Sequence, residues 1–101
     1  MGIDVQLRGE NSEVLGEVSD SDMVLSRAAQ NQLGDTRLLR YLVPWGYAIF
    51  NQAQAADWSD DIRVVCHRQA GSPLSMRLGK VQGLVDRLSA GTHLYLWFVG
   101  D

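Results

Sequence analysis

Cys66 and His67 are the one adjacent nucleophile and base in the chain. On a helix, neighbours project about 100° apart, so the imidazole does not face the thiol. Cys66 also falls on an apolar stripe, where a thiol behaves as a small hydrophobe. Metal chemistry has as little to build on: His67 and His93 are distant, there is one cysteine, and no spacing matches a zinc pattern. Asp57, Asp60 and Asp61 lie close together, but three acids at a helix start complement its dipole, and the glycine of a calcium loop is missing. Acid–base work would need Asp4 to meet Asp35, or Asp57 to meet Asp86. No glycine-rich turn joins a strand to a helix, so phosphate cradling is unsupported. No catalytic residue, metal ligand or cofactor is expected, and the reading leans away from an enzyme.

Binding has better candidates. Glu10, Glu13 and Glu17 surround a turn where carboxylates can steer a basic partner, or can simply be a solvated face. Trp45, Tyr47, Asn51, Gln52 and Trp58 put aromatics beside amides, which makes either a contact patch or a lid over the core with a helix cap. Gly79 and Gly83, with Met76 and Ala90, gather on the helix side opposite a Leu/Val stripe. Another surface could approach that strip closely, or it is plain tolerance of glycine in solvent. Arg77, Lys80 and Asp86 exclude a membrane helix there.

The chain that must position these groups has 101 residues, 46% hydrophobic and 21% charged. That length suits one domain over residues 1–101, and its folded surface should be roughly 5,700 Å². A net charge of −3 argues against a strongly cationic nucleic-acid binder. The charge is uneven: residues 1–36 hold seven acids and two bases, whereas residues 37–101 hold five acids and seven bases. Such bipolarity invites self-association, so a homodimer is among the expectations. No apolar run reaches the roughly 20 residues of a membrane helix. The opening residues lack the basic and apolar regions of a secretory signal, and a lone cysteine fits a reducing compartment, so a cytoplasmic location is expected.

Ile3, Val5 and Leu7 alternate with polar residues, which predicts a half-buried strand. Gly9-Glu10-Asn11-Ser12 is turn chemistry, and Val14, Leu15 and Val18 predict a second strand with a bulge at Gly16. Residues 19–36 read as a short helix behind Ser19–Asp22 or as a loop. Leu38–Val43 reads as a strand, Pro44-Trp45-Gly46 as a tight turn, and Tyr47–Phe50 as a further strand. Trp58, Ile62, Val65 and Cys66 share one helical face, with a start near Asn51, Asp57 or Ser59. Ser72-Pro73 begins a second helix, whose stripe of Leu74, Leu78, Val81, Leu84, Val85 and Leu88 runs to Gly91. His93–Val99 is apolar on both faces, the mark of an interior strand. The expected fold is α+β: two layers, a mostly antiparallel sheet of about five strands, and two helices on one face.

Pro44–Gln52 resembles the P-x-G-x-x-x-F-N-Q segment of a set of small bacterial proteins of unassigned function. His93–Asp101 is similar to their C-terminal H-L-Y-L-x-F-x-G-D run. The resemblance implies a cytosolic bacterial protein. Small acidic bacterial proteins of this size are also similar in style to toxin-neutralising immunity proteins. The function read from the sequence is a non-enzymatic interaction protein, an immunity-like or regulatory partner of another bacterial protein. The alternative is a small-molecule-binding regulatory domain using the Trp45/Trp58 region.

Overall fold

The computed structural model describes residues 2–30 and 36–100. Its elements run β1 (Asp4–Arg8), β2 (Val14–Val18), α1 (Val24–Gln30), β3 (Tyr47–Asn51), α2 (Ala55–Arg68), α3 (Pro73–Ala90) and β4 (Tyr95–Val99), with 3-10 turns at Leu39–Tyr41 and Gln52–Gln54. The four strands form one antiparallel sheet in the order β2-β1-β4-β3. Among the described residues, helices cover one face only. The α+β class and the helical layer are as the sequence implies, with four strands rather than five and a third short helix.

The strand that is absent is Leu38–Val43. Asp61, buried on α2, accepts hydrogen bonds from the backbone N–H of Arg37, Leu38 and Leu39 at 2.7–3.0 Å. Those donors are unavailable to a sheet ladder, so the chain curls into the 3-10 turn instead. Leu38, Leu39 and Leu42 reach the core while Tyr41 and Val43 are exposed, which explains an apolar run without a two-residue period. The tight turn at Pro44–Gly46 is present and delivers the chain to β3.

Residues 19–30 resolve toward the helical reading. Asp20 lies buried in front of α1 and accepts from the N–H groups of Leu25 and Ser26. It satisfies two of the helix's orphan donors as a capping side chain would. The expected helix end before Gly34, and Asp35 with it, lie outside the described residues.

The other elements follow their local chemistry. The hairpin register shifts between Leu7 and Arg8 and leaves Leu15 unpaired beside Gly16. Asn51 accepts from the Ala53 N–H and Gln54 accepts from the Asn51 N–H, so the amide pair starts the turn that leads into α2. Ser72 Oγ accepts from the Ser75 N–H, and Pro73 opens α3 where its missing N–H costs nothing. The full predicted stripe of α3 is buried, and this helix touches β1, β2 and β4. A Cβ at Gly16 would sit 2.7 Å from Arg87 Nη1 and 2.9 Å from Leu84 Cδ2, so the glycine lets α3 approach β2. Strand β4 pairs on both sides and is interior.

The core lies between the sheet and α2–α3. Ile3, Val5, Leu7, Leu96, Phe98 and Phe50 come from the strands. Trp58 reaches down from α2, stacks on Phe98 at 4.6 Å and meets Phe50 edge-on at 5.0 Å.

Candidate functional site

Because the helices cover one face, every second residue of β1, β4 and β3 points to the other. Asp4, Gln6 and Arg8 stand opposite Val99, Trp97 and Tyr95, and these stand opposite Tyr47, Ile49 and Asn51. Trp97 is the centre of this open face. Tyr47 meets its ring edge-on at 6.1 Å, and the Arg8 guanidinium lies 4.1 Å from the ring centroid. Gln6 Oε1 holds Arg8 Nε at 2.8 Å and Gln6 Nε2 donates to Glu17 at 2.6 Å, so a polar chain crosses the face beside the aromatics. A shallow depression of about 270 Å³ is lined by Ile49, Tyr95 and Trp97 together with Gly9, Glu10 and Ser12 of the hairpin turn.

The candidates distribute as follows. Glu10, Glu13 and Glu17 are all exposed along the hairpin, and Glu10 borders the depression. Trp45 and Tyr47 are 73% and 67% exposed, so they are surface groups and not a lid. Asn51 and Gln52 are exposed but engaged, Asn51 in the turn before α2 and Gln52 through a 2.9 Å bond to the Ser89 carbonyl. Trp58 is 0% exposed and can touch no partner; it is a core residue and shares no surface with Trp45. Gly79 and Gly83 face open space on α3, on the side away from the sheet. The structure therefore joins the acidic turn to Tyr47 by way of Trp97 and leaves the glycine strip elsewhere.

Arg8, Ile49, Tyr95 and Trp97 are the residues that sequence reasoning passed over. The signal was there in part: a strand apolar on both faces, in a protein with one helical layer, must show one of those faces to solvent.

Other titratable groups hold the fold together. Asp57 and Asp60 pair with Arg37, and the Asp57 hydrogen bond and charge raise the guanidinium pKa further. Asp86 accepts from Gln82, so Asp57 and Asp86 have separate partners. Asp4 accepts from the Asp20 N–H. Desolvation pushes the Asp22 carboxyl up, but the hydrogen bond and charge of Arg77, with backbone hydrogen bonds at Asp22 and Val24, together outweigh it and hold the group below its usual value. Among the described residues no three His, Cys, Asp or Glu side chains gather closely enough to hold a metal ion. Among them, no helix is long and apolar enough to cross a membrane.

Cys66 is half-buried between α2 and α3, its Sγ 3.6 Å from the Ser75 carbonyl, while His67 is exposed. A thiol reagent is expected to label the native protein several-fold more slowly than the denatured protein. Equal rates in a quenched labelling series would place the thiol in free solvent.

Compared with known protein families, with curated proteins and with solved structures, the chain matches none. The class that fold and site define is a two-layer α+β protein with an uncovered aromatic sheet face.

Proposed function

We propose that this is a non-enzymatic interaction protein that binds another bacterial protein, in an immunity-like or regulatory role, through the open sheet face and the adjoining acidic turn. The observation that carries this reading is the shared depression: Glu10 of the turn and Tyr95, Trp97 and Ile49 of the sheet line one surface. The half-buried rings of Tyr95 and Trp97 and the exposed ring of Tyr47 supply contact area at small entropic cost, and a carboxylate beside them favours a cationic group on the partner. Arg8 already rests on Trp97 in this manner, so the ring accepts a guanidinium. Glu13 and Glu17, farther along the hairpin, extend the negative field without being desolvated.

The test begins with capture of the partner from a bacterial lysate and continues with the two purified proteins. Reversing Glu10→Lys and Glu13→Lys together is expected to slow association about tenfold at low ionic strength, and to matter little at high salt, because rim charges act on encounter. Folding should barely change, since both groups are exposed. Association that is equally fast at low salt after the reversal would reduce the acidic turn to a solvated surface. It would move the contact to Trp45 or to the glycine strip.

A further inference from the structure

β3 is an edge strand, hydrogen-bonded on one side to β4. The Gly100 N–H donates to the Gly46 carbonyl at 2.8 Å, and this bond sets the alternation along the ladder. Gly46, Ala48 and Phe50 use their backbone groups toward β4, so Tyr47, Ile49 and Asn51 aim theirs at the free edge. The Asn51 N–H is already taken by Gln54 Oε1. Among the described residues, what remains is one N–H and one C=O on each of Tyr47 and Ile49.

The charge around this edge is the unusual part. Residues 41–56 contain no charged side chain, a run of sixteen in a chain that is 21% charged overall. Free edges are ordinarily blunted by charge, proline or a bulge. The opposite edge, β2, has such protection, with Glu17 on the strand, Glu13 before it and the irregularity at Leu15. β3 has none, and its outward side chains, Tyr47 and Ile49, are exposed beside Trp45. Two copies that each carry −3 repel unless they meet where charge is absent, and that condition selects β3.

We propose that two copies of this chain pair through β3, antiparallel about a two-fold axis at Ala48, and join their sheets into one of eight strands. This axis puts Tyr47 opposite Ile49 of the second copy on both sides. All four free groups of each strand are then used, in two hydrogen-bonded pairs. An axis at Ile49 would instead oppose Tyr47 to Asn51, whose N–H is committed within its own chain. On the open face the chosen register sets each Tyr47 ring beside a β-branched Ile49, a favourable cross-strand pair. On the other face Ala48 meets Ala48, small enough for the close approach of a non-hydrogen-bonded pair. Ile49 also lines the depression at Glu10 and Trp97, so the two readings share that residue, but this one is tested by the mass of the purified chain alone and not by partner binding.

The purified chain is examined by sedimentation equilibrium up to about 1 mM, a range that captures weak association. The expected result is a monomer–dimer equilibrium. Ile49→Lys should raise its dissociation constant at least tenfold, while Val14→Lys, on the opposite edge strand, leaves it within twofold; circular dichroism melts confirm that both variants fold. The register has its own readout. In a Cys66→Ala background, Ala48→Cys should form an intermolecular disulfide under mild oxidation, because facing Cα atoms about 4.5 Å apart lie within disulfide reach. Val14→Cys in the same background should not. A chain that is monomeric throughout, a dimer indifferent to Ile49→Lys, or a dimer that Ala48→Cys fails to lock would each overturn the proposal.

Discussion

Asp20→Ala is expected to destabilise the fold by about 3–5 kcal/mol, because it leaves several buried backbone donors without an acceptor. Asp20 is 0% exposed although three charged or hydroxyl residues surround it in sequence, Ser19, Ser21 and Asp22. Its Oδ2 accepts from the Ile3 N–H at 2.9 Å and the Ser26 N–H at 3.1 Å. Its Oδ1 accepts from the Leu25 N–H at 2.9 Å and from Arg77 Nη1 at 2.8 Å. One carboxylate thus ties the approach to β1, the first turn of α1 and the second turn of α3. Alanine would orphan three backbone donors, each costing about 1–3 kcal/mol where water cannot replace the acceptor. Arg77 would keep Asp22 as its partner, which limits the loss. A loss of this size in a chain of about 100 residues lowers the melting temperature by more than about 12 °C. Asp20→Asn, which keeps an acceptor of similar shape, should fall between alanine and wild type. A thermal melt of Asp20→Ala within a few degrees of wild type would mean that the three elements are held by their apolar contacts alone.

Trp58→Ala is expected to cost a similar 3–5 kcal/mol, by cavity formation rather than by lost hydrogen bonding. The indole is sandwiched into the sheet by Phe98 and Phe50, and its Nε1 has no hydrogen-bond partner in the core. Trp58→Phe should therefore be milder than a tryptophan truncation usually is, since no polar contact is surrendered. Chemical denaturation followed by circular dichroism measures both. Folded Trp58→Phe should also bind any partner as wild type does, because the ring reaches no surface. A Trp58→Ala protein as stable as wild type would show that α2 does not seal this side of the sheet.

Both residues illustrate where local reading stops. Asp20 stands in a polar cluster that reads as a helix cap, and it does serve α1. Its bonds to Ile3 and Arg77, 17 and 57 residues away, have no trace in the spacing of neighbours. Asp61 beside Asp60 reads as a dipole complement. In the fold the two diverge: Asp60 faces solvent and Arg37, while Asp61 turns inward and takes the donors that Leu38 and Leu39 would have given to a strand. Trp45 and Trp58 looked like members of one aromatic patch, yet one is surface and the other core.

By itself the sequence determined the N-terminal hairpin with its irregularity near Gly16, the Ser72–Gly91 helix with its buried stripe and the interior place of β4, and it left the start of α2 open among Asn51, Asp57 and Ser59. Each rests on interactions within one turn, one hairpin or one helix face, where periodicity and capping chemistry carry the information. Only the tertiary structure decided that Leu38–Val43 is no strand, that Trp58 is core and that exposed Tyr47 and half-buried Trp97 and Arg8 share the open sheet face. Apolar character says that a residue tends to leave water, but not which layer will cover it. This protein has helices for one face of its sheet and two strands, β3 and β4, that are apolar on both, so the count of layers settled where the candidate site lies.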